Sequence, residues 1–420
     1  MRINEIHARQ IIDSRGSPTI EVELLTNTGV GRAIVPSGAS TGVHEALELR
    51  DNKKNDYFGK GVFKAIKNVS KISNRLKNYM IDDQRLIDEV MLNFDGTKNK
   101  SNLGANAILG VSMAASRAAS DSHKMHLFEY LSEIYDPKKK YVMPVPFANI
   151  INGGVHSGND LMFQEFMVAP IKASSFHEAT KILVEVYHEL KGLLVEKYGK
   201  DSINVGDEGG FAPPLKTPIE ALDLITLALK KSGHKSKCAI AMDPAASEFY
   251  KDGLYEVEKD KKISGKEFVS YYLDLFKKYN IVSLEDPFDQ DDFESWKLLL
   301  SKAPKKVQIV GDDLTVSNKE RINMALKEKL CNSLLLKINQ IGTITEAMES
   351  AHLAMENKWT VMVSHRSGET EDTYIADLAV GLGCGQIKLG APARGERTAK
   401  YNQLLRIEDY LKSKSKYAKF

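Results

Sequence analysis

Six short apolar runs in the second half of the chain each end in an ionisable side chain, and this repeat constrains the fold most. The run-ending residues follow one another at intervals of 23 to 42 positions. Each interval except the first and longest holds one amphipathic helical pattern, as at Lys319 to Lys329 and Thr345 to Asn357. Consecutive strand–helix units with nearly continuous apolar strands are typical of a parallel sheet covered by helices. The run-ending residues are Asp243, Glu285, Asp312, Lys337, His365 and Lys388.

Two further candidate strands, Val145 to Ile151 and Gln164 to Val168, precede these six units. Eight strands in this length of chain fit a closed (β/α)8 barrel, which typically needs ~250 residues. A doubly wound open sheet is the alternative, but no GxGxxG motif follows an early strand. We therefore predict an α/β fold with a TIM-type barrel.

The residues before the barrel show a different pattern. Thr19 to Leu25 alternates in polarity, and a second apolar run follows Gly29, which predicts an antiparallel hairpin. A basic, proline-marked stretch begins at Pro137. We therefore predict an N-terminal α+β domain at residues 1–136 and a barrel domain at 137–420. Helices are predicted at Val62 to Leu76, Asp83 to Leu92, Ala105 to Ala119 and His126 to Ile134.

Composition excludes several classes of protein. The 58 basic and 56 acidic side chains leave a net charge of only +2, which argues against a nucleic-acid or membrane-surface binder. Cys238, Cys331 and Cys384 lie far apart, so we expect reduced thiols and neither a disulfide framework nor a zinc site. Met1 to Pro18 lacks the apolar stretch of a signal peptide, and no run reaches the ~20 apolar residues of a membrane span. We expect a cytoplasmic protein.

In a barrel, the carboxyl ends of the strands meet at one mouth, so the six run-ending side chains should share a cavity. The three acids suit a hard divalent cation such as Mg²⁺. The basic residues, with Arg366 beside His365, suit an anionic substrate. A lysine between a metal and a second lysine should have a lowered pKa, so Lys337 could act as a general base. Solvated turn residues, or acids paired with lysines, are the alternative interpretation.

Three glycine-rich loops could complete such a site. Pro36 to Gly42 offers hydroxyls and amides that could close over a phosphate or a metal, although a flexible turn has the same composition. Asn152 to Gly158 carries His156, and Asn204 to Gly210 carries Glu208. Glycine neighbours give the backbone freedom to bring such side chains into a cavity.

Long motifs in sequence order make the chain resemble the enolase family. The resemblance implies an N-terminal α+β domain and a modified barrel whose second strand is antiparallel and whose regular units follow two extra helices. That arrangement would place Glu208 in a loop outside the strands and would account for the long interval after Asp243. The motifs begin at Asp13 (DSRGSPT), Val35 (VPSGASTG), Gln164 (QEFM), Gly206 (GDEGG), Ser283 (SLEDPF), Gly311 (GDDLTV), Leu336 (LKINQIGT) and Ser364 (SHRSGETED).

The resemblance also implies a role for each site residue. Lys337 would be the general base, and Glu208, kept protonated by its surroundings, would be the acid. Two Mg²⁺ ions would bind per site, the second arriving with substrate at Ser40. The metal ligands of the first would be Asp243, Glu285 and Asp312. The substrate contacts would be Arg366 and Ser367 for phosphate, Lys388 for carboxylate, His365 near the departing hydroxyl, and His156, Gln164 and Glu165 along the pocket.

The implied reaction is the reversible dehydration of 2-phosphoglycerate to phosphoenolpyruvate in glycolysis, by a homodimer or an octamer. A racemase or cycloisomerase of the same superfamily is one alternative. A non-catalytic role, as a plasminogen receptor on the cell surface or an RNA-processing scaffold, is another, and export would then need a route without a signal peptide. The lysine-rich tail Lys412 to Phe420 could serve such a partner, or could be a solvated helix end.

Overall fold

The computed structural model describes residues 1–38, 42–136 and 140–420. The N-terminal part opens with a three-stranded antiparallel sheet in which the second strand lies in the middle. The predicted hairpin is present, but the sequence analysis missed the first strand, although its polarity alternates as in a half-buried strand. The strands are β1 (Ile3–Ile12), β2 (Pro18–Thr26) and β3 (Val30–Ile34).

The four predicted helices follow this sheet; the first and third pack against it, and the other two pack against the third. The third is buried almost all round because its small residues allow close approach to the sheet. A Cβ atom at Gly31 of β3 would lie only 1.9 Å from the Ala114 carbonyl oxygen, so glycine is needed at this contact. The helices are α1 (Phe63–Leu76), α2 (Gln84–Asp95), α3 (Ala105–Ser122) and α4 (Leu127–Tyr135).

The C-terminal part is a closed eight-stranded barrel, which confirms the predicted barrel and excludes the open sheet. The barrel strands are fully buried except at two terminal residues, because both faces are covered. A short strand, β4 (Val142–Met143), precedes the barrel. The barrel strands are β5 (Val145–Asn152), β6 (Glu165–Ala169), β7 (Ala239–Asp243), β11 (Ile281–Glu285), β12 (Gln308–Gly311), β13 (Ser333–Leu336), β14 (Thr360–Ser364) and β15 (Gly385–Lys388).

The barrel departs from a regular one at its start. Strand β6 is antiparallel to both neighbours, and two helices, α5 (Phe176–Tyr198) and α6 (Pro218–Lys231), separate it from β7. This confirms the arrangement implied by the family resemblance. Those helices come before Asp243, however, so they do not account for the long interval after it. That interval holds a small antiparallel sheet of β8 (Tyr250–Lys251), β9 (Leu254–Glu258) and β10 (Lys261–Ile263).

Helices follow the remaining barrel strands and cover the outside. Capping residues start several of them: Asn318 accepts two backbone N–H groups, and Thr343 accepts one. None of the helices in the described ranges combines the length and apolarity that a bilayer crossing requires. The helices are α7 (Gly265–Lys278), α8 (Phe293–Lys302), α9 (Lys319–Glu328), α10 (Ile338–Ile341), α11 (Ile344–Glu356), α12 (Tyr374–Leu382) and α13 (Gly395–Leu411).

The C-terminal tail leaves the helix at Leu411 and returns to the barrel. Its strand β16 (Lys416–Tyr417) pairs in parallel with β4, and the Tyr417 hydroxyl donates to the Pro170 carbonyl at 3.0 Å. The Phe420 ring lies 5.9 Å from the ring of Phe147 inside the barrel. The interpretation of the tail as a solvated helix end is therefore wrong, although its lysines are exposed.

Candidate active site

The six run-ending side chains lie at the carboxyl ends of consecutive barrel strands. Asp243, Glu285 and Lys388 are the last residues of their strands, and the other three directly follow theirs. All are buried except Lys337, whose side chain is 12% exposed. The structure thus collects them at one end of the barrel.

Two lysines organise the acids at this mouth. The Lys388 ammonium lies 3.0 Å from Asp243 Oδ2, 2.9 Å from Glu285 Oε1 and 3.0 Å from Glu165 Oε2. The Lys337 ammonium pairs with Asp312, which also accepts from the Gln340 amide at 2.7 Å. The predicted metal ligands are therefore divided between two lysines. Asp243 and Glu285 pair with Lys388, and Asp312 pairs with Lys337.

Glu208 enters the site from the glycine-rich loop between α5 and α6. Its carboxylate accepts from Asn149 Nδ2 at 3.1 Å and lies 3.3 Å from His365 Nε2 and 3.7 Å from His156 Nδ1. The next residue, Gly209, has φ +81°, and a Cβ there would lie 3.0 Å from a backbone oxygen. Only glycine allows this turn without strain, so the loop's composition positions the carboxylate.

His156, Gln164 and Glu165 lie around the same space and are all buried. Within the part of the chain that the structure describes, neither ring nitrogen of His156 has a hydrogen-bond partner, and Gln164 Oε1 has none either. Such groups are costly to bury unless something binds them. These atoms line the small cavity of the site, where a ligand could bind them. This cavity is lined by His156, Gln164, Glu165, Glu208, Lys337, Ser364, His365, Arg366, Ser367 and Lys388.

The loop after β14 brings Arg366 and Ser367 to the opposite wall. The Arg366 guanidinium contacts both carboxylate oxygens of Glu45 at 3.1 Å and Asn339 Oδ1 at 3.0 Å. The Ser367 hydroxyl accepts from Arg15 Nη1 at 3.5 Å. This wall carries the guanidinium groups of Arg15 and Arg366, and Arg366 already binds the planar carboxylate of Glu45.

The first glycine-rich loop reaches this wall. Ser37 and Gly368 exchange two backbone hydrogen bonds of 2.8 Å, which tie the start of the loop to the residue after Ser367. At the other end, Gly42 lies against Asp313. Ser40, the predicted ligand of a second Mg²⁺, lies outside the described residues.

The charges of the chain itself shift the pKa values of Glu208, Glu165 and Lys337. Burial raises the pKa of Glu208, but the imidazoles of His365 and His156 outweigh it and hold the pKa well below its usual value. Glu165 shows the reverse, because burial and the neighbouring Glu208 charge raise its pKa. Burial lowers the pKa of Lys337, but the Asp312 carboxylate outweighs it and the pKa is raised. Neighbouring groups outweigh burial at Glu208 and Lys337, whereas burial and a like charge act in the same direction at Glu165.

Comparison with known proteins agrees with this geometry. The family model "Enolase, N-terminal domain" matches residues 3–131, and "Enolase, C-terminal TIM barrel domain" matches residues 140–420. The enolase of Methanocaldococcus jannaschii is 56% identical over 418 residues, which are 99% of this chain and 97% of that protein.

The chain belongs to the enolase family. Enolases are phosphopyruvate hydratases, carbon–oxygen lyases that remove or add water, so this chain is a hydro-lyase. The resemblance read from the motifs is thereby confirmed for family, fold and reaction type.

Carboxylates suited to a divalent cation are abundant in this enolase site. The predicted ligands Asp243, Glu285 and Asp312 offer only oxygen donors, as hard cations prefer. Burial and the Asp243 charge raise the pKa of Glu285 well above its usual value, so a further positive charge would be stabilising there. Two sets of ligand atoms within 4.8 Å of one another exist in the described ranges: His156–Glu165–Glu208 and Asp286–Asp312–Asp313. The predicted trio Asp243, Glu285 and Asp312 is not one of these sets, and only Asp312 belongs to either of them. The fit to a divalent metal therefore rests on the oxygen donors collected at this mouth.

Sequence reasoning assigned no role to several side chains that shape the enolase site. Arg15 lies in a quoted motif, and Glu45 lies three residues after the first loop, so their position in the chain was a usable signal. Asn149 lies within an apolar strand, where a buried amide is unusual. Arg397 had no signal, because it lies on a helix in a run of ordinary polar residues.

One large groove lies away from these residues. It has a volume of about 870 Å³ and runs between the N-terminal helices and α11. None of the predicted site residues lines it. The predicted site residues thus line the small cavity at the barrel mouth and not this larger groove.

Proposed function

We propose that the protein catalyses the reversible dehydration of 2-phospho-D-glycerate to phosphoenolpyruvate, as in glycolysis and gluconeogenesis. The observation that carries this proposal is one buried cavity lined by both an amine and a carboxylate, Lys337 and Glu208. Removal of a C2 proton and departure of the C3 hydroxyl need a base and an acid that face the same small substrate. Membership of the enolase family supports this reaction.

The substrate's two anionic groups match two separate cationic places. Arg366, with Ser367 beside it, would hold the phosphate, since a guanidinium binds phosphate oxygens in bidentate fashion. Its paired contacts with Glu45 support this role, because the guanidinium is already oriented toward an anion. Lys388 would face the carboxylate. Gln164 and His156 bring to the pocket polar atoms that have no hydrogen-bond partner among the described residues.

Asp243, Glu285 and Asp312 would hold one Mg²⁺, and Ser40 would help to hold a second that arrives with substrate. When bound, these ions supply Lewis-acid stabilisation of the negative charge that develops beside the substrate carboxylate. A Lys or His base with one or two Mg²⁺ ions is the general pattern of enolase-superfamily sites.

Lys337 takes the C2 proton in this proposal, and it must first become neutral. Its present partner is Asp312, which holds the amine protonated. If Asp312 held a cation, its hold on the ammonium would be weaker and the neutral amine would be favoured. In this proposal the contact between Lys337 and Asp312 thus links the charge state of the base to occupancy of the metal site.

Glu208 returns a proton to the departing hydroxyl in this proposal, with His365 beside it. Glu208 favours the ionised form, but Glu165 carries a raised pKa and lies within 4.8 Å of it, measured between carboxylate oxygens. We infer that the proton needed for the acid is held by this pair of carboxyl groups.

The test is turnover of 2-phosphoglycerate by the purified protein, followed by ultraviolet absorbance of phosphoenolpyruvate. We expect turnover with Mg²⁺, loss of it with a chelator, and recovery when Mg²⁺ is restored. A hydroxy acid without a phosphate group is the control substrate, because racemases and cycloisomerases of the superfamily do not need the phosphate. We expect no turnover of this acid. Turnover of that acid alone would overturn the proposal in favour of a racemase or cycloisomerase.

We further propose residues 1–136 and 137–420 as the two domains, a homodimer or octamer as the assembly, and the cytoplasm as the location. The ends of the two family models at residues 131 and 140 support the boundary. Sedimentation velocity would test the assembly, and a monomer at micromolar concentration would contradict it.

A partner-binding role for the tail stays a prediction. Lys412, Lys414, Lys416 and Lys419 are exposed, as a lysine-recognising partner would need. Deleting the tail would also remove the pairing of β16 with β4, so glutamine replacement of the four lysines is the cleaner test. Plasminogen capture unchanged by that replacement would reject the tail as a receptor site.

A further inference from the structure

Arg397 is a fully buried arginine at the start of α13, and its guanidinium reaches the loops that carry the proposed substrate contacts. Nη1 donates to the Arg366 carbonyl at 2.6 Å, and Nη2 donates to the carbonyls of Ser367 and Asp207 at 2.8 and 3.0 Å. Its nearest carboxylate among the described residues, Glu396, lies 3.6 Å from Nε. A buried cation that binds neutral acceptors at an active site needs an explanation beyond charge pairing.

The fourth contact is chemically distinctive. Arg397 Nη1 lies 2.6 Å from Nδ1 of His365. A guanidinium can only donate and does not lose its proton in proteins, so Nδ1 must be the acceptor. A neutral imidazole that accepts at Nδ1 carries its proton on Nε2.

The other ring nitrogen faces the proposed acid. His365 Nε2 lies 3.3 Å from Glu208 Oε2, and both side chains are buried. Burial and the Arg397 charge lower the pKa of His365, to about 4, against the opposing Glu208 charge. The ring therefore stays neutral at physiological pH, and its single proton lies on the Glu208 side.

We propose that Arg397 is a positioning residue that fixes His365 in the tautomer with its proton on Nε2, directed at Glu208. The inference rests on the proposed function, because it extends the assignment of His365 and Glu208 to the departing hydroxyl. Arg397 touches neither the cavity nor the substrate, and it acts through the imidazole.

A merely structural role is the competing explanation, since three of the four contacts are to backbone carbonyls. The two explanations differ in how Arg397 and His365 depend on each other. Loss of a tautomer-fixing contact lowers kcat only while His365 is present. Loss of a loop anchor weakens the substrate-binding wall whether or not His365 is present.

The experiment is a double-mutant cycle with Arg397→Met, His365→Ala and the pair, in the full-length protein with Mg²⁺. We expect Arg397→Met to lower kcat about 10–100-fold in the natural background, as is usual for groups that orient a functional side chain. In the His365→Ala background it should lower kcat by less than about threefold. The KM for 2-phosphoglycerate should change by less than about threefold in both backgrounds.

Equal losses of kcat in both backgrounds, or a change in KM alone, would overturn the inference and leave the proposed function standing. Arg406→Met is the matched control, since Arg406 is an exposed arginine on the same helix. Arg397→Lys keeps a buried cation that can donate to Nδ1, so it should retain more kcat than Arg397→Met. If Arg397→Met does not fold, the cycle is run with Arg397→Lys, and whatever loss of kcat this variant shows should shrink in the His365→Ala background. An equal loss in both backgrounds would again overturn the inference.

A second measurement separates the inference from the proposed function. Magic-angle-spinning NMR of protein labelled with ¹⁵N at histidine, with His365→Ala to assign the signal, reports which ring nitrogen carries the proton. We expect Nε2–H in the natural protein and loss of that preference in Arg397→Met. An Nδ1–H ring in the natural protein would overturn the inference whatever the enzyme turns over, while failure to turn over 2-phosphoglycerate would overturn only the proposed function.

Discussion

The two ends of the barrel are built from different kinds of polar side chain. At the amino end of the strands, Gln308 donates to Ser283 Oγ at 3.0 Å and to Gln386 Oε1 at 2.9 Å. Gln386 donates back to Gln308 Oε1 at 3.1 Å, and Thr360 donates to the same oxygen at 2.9 Å. These groups are neutral and satisfy one another.

The carboxyl end is charged, and its polar groups are incompletely paired. Acids there share two lysines, and the two nitrogens of His156 lack partners in the described ranges. An apolar layer that includes Phe147, Leu335 and Met362 separates the two ends. The comparison shows which end serves stability and which serves chemistry, in keeping with barrels in general.

Replacing Lys337 should have the largest effect on turnover and should leave the barrel folded. We expect Lys337→Ala to lower kcat for 2-phosphoglycerate by about 10²–10⁴-fold, because the proposed base is lost. The circular dichroism spectrum should be unchanged, since the neutral network at the other end is intact. Near-normal turnover would contradict the assignment, and Lys319→Ala, at an exposed lysine outside the site, is the control.

Asp88 lies outside the barrel and sharpens the comparison, because it is a buried acid with no proposed catalytic role. It accepts from the Thr345 backbone at 3.0 Å and its hydroxyl at 2.6 Å, which joins α2 to α11. Burial raises its pKa from 3.8 to about 6. The folded protein therefore binds this proton more tightly than the unfolded chain does.

The sign of the pH dependence follows from that difference. As pH rises from about 4 to about 6, the free energy of unfolding should fall by up to about 3 kcal/mol on account of Asp88, and then level off. Asp88→Asn should remove this part of the slope in urea unfolding measured across that range. Turnover at neutral pH should change by less than about twofold. Identical slopes in the two proteins would contradict the prediction.

Replacing Gln308 tests the neutral end of the barrel. We expect Gln308→Leu to lower the free energy of unfolding by about 1–3 kcal/mol, because the Gln386 amide loses its partner while buried. Adding Gln386→Leu to this variant should lower the free energy of unfolding by less than the first replacement did. Both members of the pair are then apolar, so neither leaves a buried polar group without a partner. Urea unfolding checks the stability, and kcat should stay within about twofold. A loss of turnover as large as that of Lys337→Ala would erase the distinction between the two ends.

The barrel strands could be predicted from sequence almost to the residue. Six of the eight runs are bounded by an ionisable side chain, so their ends are unambiguous, as at Asp243 and Glu285. The small sheet after Asp243 was missed because its strands are short and mixed in polarity. The strand at Ile3–Ile12 was missed although its alternation was visible.

The structure brings the predicted site residues that it describes to one barrel mouth, but the charges around each of them could not be predicted from the sequence. The protonation of Glu208 and Lys337 depends on which charges lie within a few ångströms, and those neighbours come from distant parts of the chain. Asp312 and Lys337 meet only because strands β12 and β13 are adjacent. Arg397 likewise reaches His365 only through the packing of α13 against the mouth.

The central claim is that Asp243, Glu285 and Asp312 together hold a divalent cation within reach of the Lys337 amine. Anomalous diffraction from crystals grown with Mn²⁺ in place of Mg²⁺ tests it most directly. We predict the main peak among those three carboxylates. A main peak at Asp286–Asp313 or at His156–Glu165–Glu208, with none among the three, would contradict the account.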